Sequence, residues 1–208
     1  MIKSLDRISY LTNSLEQTEK TFSAFFNSKP SKKIVSKDRN YESLLYIFEN
    51  INFEIIKKSE DSPKEDKLSG FSMLSNDLTS LNISTSYDKY ENNEESNEKV
   101  QLVKSISINQ SPDFQLSVNE YEYSNESPTI ENNLFALDHL VLTTNKSDEL
   151  INLYEKELGI RLALDQFVEK WGGRMLFFRT GQATIEVIDN KVEGLSLIHI
   201  SEPTRLLA

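Results

Sequence analysis

The stretch LDHLVLTTNKSDELINLYEKELGIRL, residues 137–162, decides the fold of this chain. It opens with an apolar run rich in β-formers, which predicts a strand over residues 137–143. Thr144 and Asn145 offer helix-capping side chains, and apolar residues then recur at helical spacing through residue 158. Gly159 follows, as expected of a residue that readily adopts the positive φ found just after a helix. The stretch therefore predicts a strand leading directly into a helix.

Three further strands are predicted after this helix, over residues 160–168, 174–180 and 183–189. Gly172-Gly173 and Gly181-Gln182 separate these strands and supply turn residues. The predicted unit is therefore strand–helix–strand–strand–strand, or βαβββ.

The same unit occurs earlier in the chain, 132 positions away. Residues 5–26 read LDRISYLTNSLEQTEKTFSAFF, and their Leu-Asp opening and Thr-Asn pair recur in the later stretch at that offset. The offset persists without gaps between residues 44–56, LLYIFENINFEII, and residues 176–188, LFFRTGQATIEVI, so that Glu54 matches Glu186. A register held over some fifty residues indicates a duplicated unit. The first copy is predicted to hold strands at 5–11, 33–36, 43–49 and 52–57 around a helix at 14–26.

A third, degraded copy lies between these two. It is predicted to contain a strand at residues 70–74, a helix beginning after Asp77, and strands at 100–107 and 114–121. An acidic, asparagine-rich stretch at residues 86–99 is interpreted as a solvated loop within it.

The βαβββ unit resembles the vicinal oxygen chelate superfamily, which includes glyoxalase I, bleomycin-resistance proteins and extradiol dioxygenases. The resemblance rests on residues 137–142 (LDHLVL), 153–162 (LYEKELGIRL) and 176–188. It is specific over 136–190, weaker over 5–58 and weakest over 70–121. It implies an α+β fold in which two units pair into an eight-stranded cup that binds a divalent metal ion on its concave face.

The resemblance divides the chain into four parts. Residues 1–123 are expected to form a degenerate cup of two units, 124–134 a linker, 135–192 a third unit, and 193–208 a non-native tail. Within that tail, LSLIHISEPTR at 195–205 resembles the conceptual translation of a transposase adapter used in sequencing libraries. We therefore expect the third unit to be unpaired by truncation, and His199 is excluded from the functional candidates. A genuine strand over LSLIHI is the alternative.

His139 and Glu186 are the candidate metal ligands. Strand side chains alternate between faces, so His139 shares a face with Leu137 and Val141, while Glu186 shares one with Thr184 and Ile188. Imidazole nitrogen and carboxylate oxygen are suitable ligands for zinc, nickel, iron or manganese. The resemblance implies that the missing ligands come from a partner unit. Arg174 and Arg179 are interpreted as surface arginines, with contact to an anionic substrate as the alternative.

The first copy departs from this pattern where the metal would bind. Arg7 stands at the position of His139, and a guanidinium group stays protonated and offers no lone pair to a metal ion. Glu54 is retained, so an Arg7–Glu54 ion pair across the cup is predicted. The N-terminal half is therefore expected to be metal-free and to shield substrate or form a homodimer.

Composition limits the partners. The 208 residues carry a net charge of −10, whereas a protein that binds nucleic acid needs a basic surface. The sequence contains no cysteine, shows no signal peptide at its N-terminus and has no apolar run of membrane-spanning length. We therefore expect a cytoplasmic protein with a small-molecule substrate and neither nucleic acid nor a membrane as partner.

The resemblance favours a glyoxalase-like, metal-dependent lyase or isomerase that acts on a small molecule with vicinal oxygens. Two alternatives stay open, namely an extradiol-type ring-cleaving dioxygenase and a non-catalytic binding protein of the bleomycin-resistance type. The chain itself, as a truncated piece, is expected to be inactive. No catalytic residue is assigned from the sequence.

Overall fold

The computed structural model describes residues 1–36, 40–58, 63–81, 88–92, 103–111, 114–121, 135–170, 172–189 and 196–200. These residues form an α+β fold with two mixed β-sheets and few helices. In the described part of the chain, no helix has the length and apolar character needed to cross a membrane.

The first unit has the predicted order. It consists of β1 (Ile2–Leu11), α1 (Leu15–Phe26), β2 (Lys32–Ser36), β3 (Tyr41–Ile47) and β4 (Asn52–Lys58). The side chain of Ser14 accepts a hydrogen bond from the backbone N–H of Gln17 and so caps α1. Asn27 ends the helix in the left-handed conformation, with φ of 49°.

The middle unit is degraded, as predicted, but differs in detail. It consists of β5 (Lys67–Ser75), a single 3₁₀ turn (Leu78–Ser80), β6 (Asp88–Asn92), β7 (Val103–Ser111) and β8 (Phe114–Tyr121). Among the described residues, the helix predicted after Asp77 is present only as this three-residue 3₁₀ turn, because Thr79 and Ser80 favour caps and turns over an α-helix. Asp77 caps only the short 3₁₀ turn by accepting from the N–H of Thr79. The strand β6 lies inside the stretch interpreted as an acidic loop.

The third unit again follows the predicted order. It consists of β9 (His139–Thr144), α2 (Ser147–Ile151) with a π-helical continuation (Asn152–Glu157), β10 (Arg161–Val168), β11 (Gly173–Thr180) and β12 (Ala183–Asp189). The predicted linker, residues 124–134, lies outside the described residues.

The first and third units have the same strand pairing. The first eight-stranded sheet has the order β2-β3-β4-β1-β5-β8-β7-β6, and the second begins β10-β11-β12-β9. In both units the first strand runs parallel to the last, with Arg7 opposite Asn52 and His139 opposite Thr184. These two pairs are related by the same offset of 132, so the duplication extends to the register of the sheet. The antiparallel pair β1–β5 joins the first two units into the N-terminal cup.

A fifth strand, β13 (Ser196–Ile200), pairs antiparallel with the edge of β9. It takes the place beside β9 that β5 takes beside β1. This strand comes from the segment predicted to be a non-native tail. Because ladder hydrogen bonds join backbone groups, the open edge of β9 accepts an extended segment whatever its side chains.

The helix of the third unit packs on the convex face of its sheet. The side chains of Leu140, Leu142, Ile185 and Val187 are fully buried there, together with Tyr154. Tyr154 packs edge-on against Phe178, with ring centroids 5.1 Å apart. Alternation along β9 and β12 therefore directs the intervening side chains to the opposite, concave face.

The third unit docks on the first through the side chain of Asn50 and a cluster of aromatic rings. The side-chain amide of Asn50 donates to the carbonyl oxygen of Leu137 at 2.7 Å and accepts from its N–H at 2.8 Å. Phe135 packs against Phe26 and Phe48. These contacts bury Leu137, which lies before β9 begins and is not an exposed member of the concave face.

Candidate metal centre

The structure brings the two predicted ligands together on the concave face of the second sheet. His139 and Glu186 lie on the neighbouring parallel strands β9 and β12, with Glu186 opposite Val141. The Nε2 atom of His139 is 3.7 Å from Oε2 of Glu186, and the two side chains are 28% and 18% exposed. Both are thus partly shielded yet open to an incoming ion. Metal binding by this pair stays a prediction.

Asp138, which the sequence analysis did not single out, lies against the imidazole of His139. Its Oδ2 atom lies 3.1 Å from Nδ1 of His139. A carboxylate in that position favours the tautomer with the proton on Nδ1, which leaves the lone pair of Nε2 directed toward Glu186. Asp138 precedes the histidine directly and matches Asp6 in the first copy, which was the signal available from the sequence.

The geometry of the pair fits a single ion. Zinc lies about 2.1 Å from ligating nitrogen and about 2.1 Å from carboxylate oxygen, so two donors up to about 4.2 Å apart can share it. The observed 3.7 Å lies within that limit. In the described residues no group of three or more His, Cys, Asp or Glu side chains gathers around an ion-sized site. The pair is therefore predicted to supply two ligands of an open site.

The two arginines of β11 lie on opposite faces of the sheet. Arg174 faces the helix side, where it makes a two-point ion pair with Asp165 at 2.6 and 2.7 Å and a third contact with Asp148 at 2.7 Å. These contacts hold the pKa of Asp165 below its ordinary value. Arg179 lies opposite Thr184 on the concave face and donates to its hydroxyl oxygen at 3.0 Å. Arg174 is thus half-buried and fully engaged by carboxylates, whereas Arg179 is exposed, as the surface interpretation predicts, and lies on the same face as the two predicted ligands.

The equivalent position in the first cup holds an ion pair, as predicted. Nη1 of Arg7 donates to Oε2 of Glu54 at 2.7 Å, and the hydroxyl of Ser43 donates to the other carboxylate oxygen at 2.6 Å. Burial works to lower the pKa of Arg7, but the nearby Glu54, Tyr121 and Asp6 together raise it overall. The guanidinium thus stays charged and occupies the side of Glu54 that an ion would need.

Asp6 extends this buried polar cluster. The pairing of β1 with β5 shifts register between Leu5 and Arg7, as a β-bulge does. The Oδ2 atom of Asp6 accepts hydrogen bonds of 2.8 Å from Ser72, Asn119 and Tyr121. The concave face of the first cup is therefore a closed hydrogen-bonded network, in contrast to the open pair in the third unit.

Comparison with known proteins gives structural likenesses alone. No protein-family model matches the sequence, and no curated protein matches it significantly. A triple mutant of 4-hydroxymandelate synthase from Streptomyces coelicolor superposes with a TM-score of 0.63 at 10% identity, over 96% of this chain and 71% of the other. For 2,2',3-trihydroxybiphenyl 1,2-dioxygenase from Sphingomonas wittichii the TM-score is 0.59 at 13% identity, over 93% and 70% of the two chains. For glyoxalase I from Zea mays it is 0.51 at 15% identity, over 94% and 70%. At identities this low the structural likeness shows the fold alone, and it confirms the predicted fold.

Proposed function

We propose, from the vicinal oxygen chelate fold of this chain, that the protein is a glyoxalase-like, metal-dependent enzyme of the lyase or isomerase type. Its substrate is a small molecule with two neighbouring oxygens. The observation that carries the proposal is the 3.7 Å approach of His139 Nε2 and Glu186 Oε2 on one concave face. The cysteine-free sequence supports a cytoplasmic location, which we also propose.

Each residue of the centre has a defined task in this proposal. His139 and Glu186 hold the ion, which is zinc, nickel, iron or manganese by the chemistry of its donors. When bound, the ion stabilises negative charge that develops on the two substrate oxygens. Asp138 keeps the proton of His139 on Nδ1, at the 3.1 Å contact, so that Nε2 is available.

The remaining ligands must come from elsewhere. The described residues bring two donors to the centre, and a catalytic zinc site has three protein ligands and one open position. We therefore propose that a partner unit supplies the rest against the concave face. By this reasoning the 208-residue chain alone binds metal weakly and has no activity.

The test is a metal titration of the purified chain and its alanine variants. Zn²⁺ should shift the NMR signals of His139 and Glu186, and both His139→Ala and Glu186→Ala should abolish the shifts at the other residue. Glu169→Ala is the matched control for Glu186→Ala, because it removes the same side chain just past the far end of β10, away from the centre. Zn²⁺ bound with unchanged affinity in both His139→Ala and Glu186→Ala would exclude this centre.

An extradiol-type dioxygenase is the second candidate. It is favoured by the structural likeness to a trihydroxybiphenyl dioxygenase and by a first cup whose metal position is filled by Arg7. Oxygen consumption with catechol by the Fe²⁺-loaded protein, supplied with its partner unit, would support this candidate over the first.

A further inference from the structure

We infer that Arg161 and Arg179 form an oxyanion-binding pair beside the metal centre, so that the substrate carries a carboxylate or phosphate group in addition to its vicinal oxygens. This inference rests on the proposed function and deepens it. It begins from the strand register of the second sheet.

A row of residues crosses the concave face from the outer strand to the metal ligand. Arg161 on β10 lies opposite Arg179 on β11, Arg179 lies opposite Thr184 on β12, and Thr184 lies opposite His139 on β9. Residues directly opposite on neighbouring strands share a face, with Cβ atoms about 5 Å apart. Both arginines therefore lie on the face that holds His139 and Glu186.

Two like charges placed directly opposite each other on a sheet destabilise it, unless a counter-ion lies between them. In the described residues neither Arg161 nor Arg179 makes a salt bridge with a carboxylate of the protein. Arg174, on the other face of the same strand, has two carboxylate partners. Of the three arginines on β10 and β11, the two without a carboxylate partner therefore both lie on the concave face.

Arg179 is held in place for this task. Its Nη1 atom donates to the hydroxyl oxygen of Thr184 at 3.0 Å, which leaves its other N–H groups available to a ligand. Planar guanidinium groups match the two oxygens of a carboxylate or phosphate. Thr184 separates Arg179 from His139 by two strand spacings, roughly 10 Å between backbones. An anion bound by the arginine side chain therefore lies within one small molecule of the ion.

The duplicated unit provides an internal comparison. In the first copy the row that corresponds to Arg179, Thr184 and His139 reads Ile47, Asn52 and Arg7. The first copy, whose metal position is closed by an ion pair, thus has Ile47 at the position of Arg179. Of these two copies, only the one with the open centre has arginine at this position.

The experiment uses the whole chain at a Zn²⁺ concentration that saturates the shifts at His139, and three probes. The probes are 3,4-dihydroxybenzoate, its neutral counterpart 3,4-dihydroxybenzamide, and inorganic phosphate. Titrations followed by NMR should show that dihydroxybenzoate binds at least about tenfold more tightly than the benzamide, the effect of one hydrogen bond between charged groups. Arg179→Gln and Arg161→Gln should each remove that preference, whereas Arg174→Gln should retain it. Phosphate could instead bind the wild type more tightly than dihydroxybenzoate does. If Arg179→Gln and Arg161→Gln each remove this phosphate binding, the result would support the arginine pair with phosphate as its ligand.

Two results would overturn the inference. Equal preference for the carboxylate in wild type, Arg179→Gln and Arg161→Gln would show that the arginines do not bind it. Zn²⁺ shifts at His139 without any preference among the three probes would leave the metal centre intact and exclude the anion pair. If Zn²⁺ itself does not shift His139 or Glu186, the proposed function fails and the inference fails with it.

Discussion

Glu54 and Glu186 occupy equivalent positions of the duplicated unit, and the same substitution should affect them in opposite ways. Glu54 is 6% exposed and receives two hydrogen bonds, from Arg7 at 2.7 Å and from Ser43 at 2.6 Å. Glu54→Gln leaves the Arg7 guanidinium without its counter-ion inside the first cup. Glu186 is 18% exposed, and its histidine neighbour is 3.7 Å away. Glu186→Gln therefore breaks no close ion pair.

The size of the difference follows from burial. Removing one partner of a buried ion pair costs about 3–5 kcal/mol, and because the Arg7 side chain is 26% exposed we expect the lower end, about 3 kcal/mol. For a chain of this size each kcal/mol shifts the Tm by about 2–4 °C, so Glu54→Gln should lower it by about 6–12 °C. A partly exposed contact contributes at most about 1 kcal/mol, so Glu186→Gln should lower the Tm by no more than about 4 °C.

Thermal unfolding followed by circular dichroism gives the Tm, and Zn²⁺ titration gives the second measurement. Glu54→Gln should keep the Zn²⁺ affinity of the wild type, whereas Glu186→Gln should lose it. Equal falls in Tm for the two variants would refute the claim that the first cup is closed by a buried ion pair and the third unit is open.

Two further predictions follow from single side chains. The hydroxyl of Tyr154 is buried without a hydrogen-bond partner among the described residues, so Tyr154→Phe should raise the free energy of unfolding by about 1 kcal/mol. Tyr46→Phe is the matched control: Tyr46 is also a buried residue, but its hydroxyl forms a hydrogen bond with Ser23 at 2.9 Å, so urea unfolding should show a loss of about 1 kcal/mol. The same sign for both variants would contradict the reasoning. Asp138→Asn should weaken Zn²⁺ binding by about tenfold while leaving the Tm unchanged, because it disturbs only the orientation of His139. An unchanged Zn²⁺ affinity would show that Asp138 does not position the ligand.

Much of the fold was predictable because the sequence contains the same strand–helix–strand unit twice, at a constant offset. The apolar alternation over residues 137–143 and 183–189 and the helical spacing between them indicate one unit, and the offset of 132 indicates another. The structure keeps even the strand register at that offset, with Arg7 opposite Asn52 and His139 opposite Thr184. In the middle unit, Thr79 and Ser80 favour caps and turns, and among the described residues the helix predicted after Asp77 is only a 3₁₀ turn.

The candidate site was predictable only in part. Strand alternation by itself places His139 and Glu186 on definite faces of their strands, and the missing histidine at Arg7 indicates an ion pair. Pairing of β9 with β12 is a long-range contact, and this pairing sets the 3.7 Å distance between the two predicted ligands. The opposition of Arg161 and Arg179 depends on a register shift between Leu162 and Leu164, which no local pattern specifies. Local sequence thus determines the order of elements and the face of each side chain, whereas the partners across the sheet depend on which strands meet and in what register, and only the folded chain decides that.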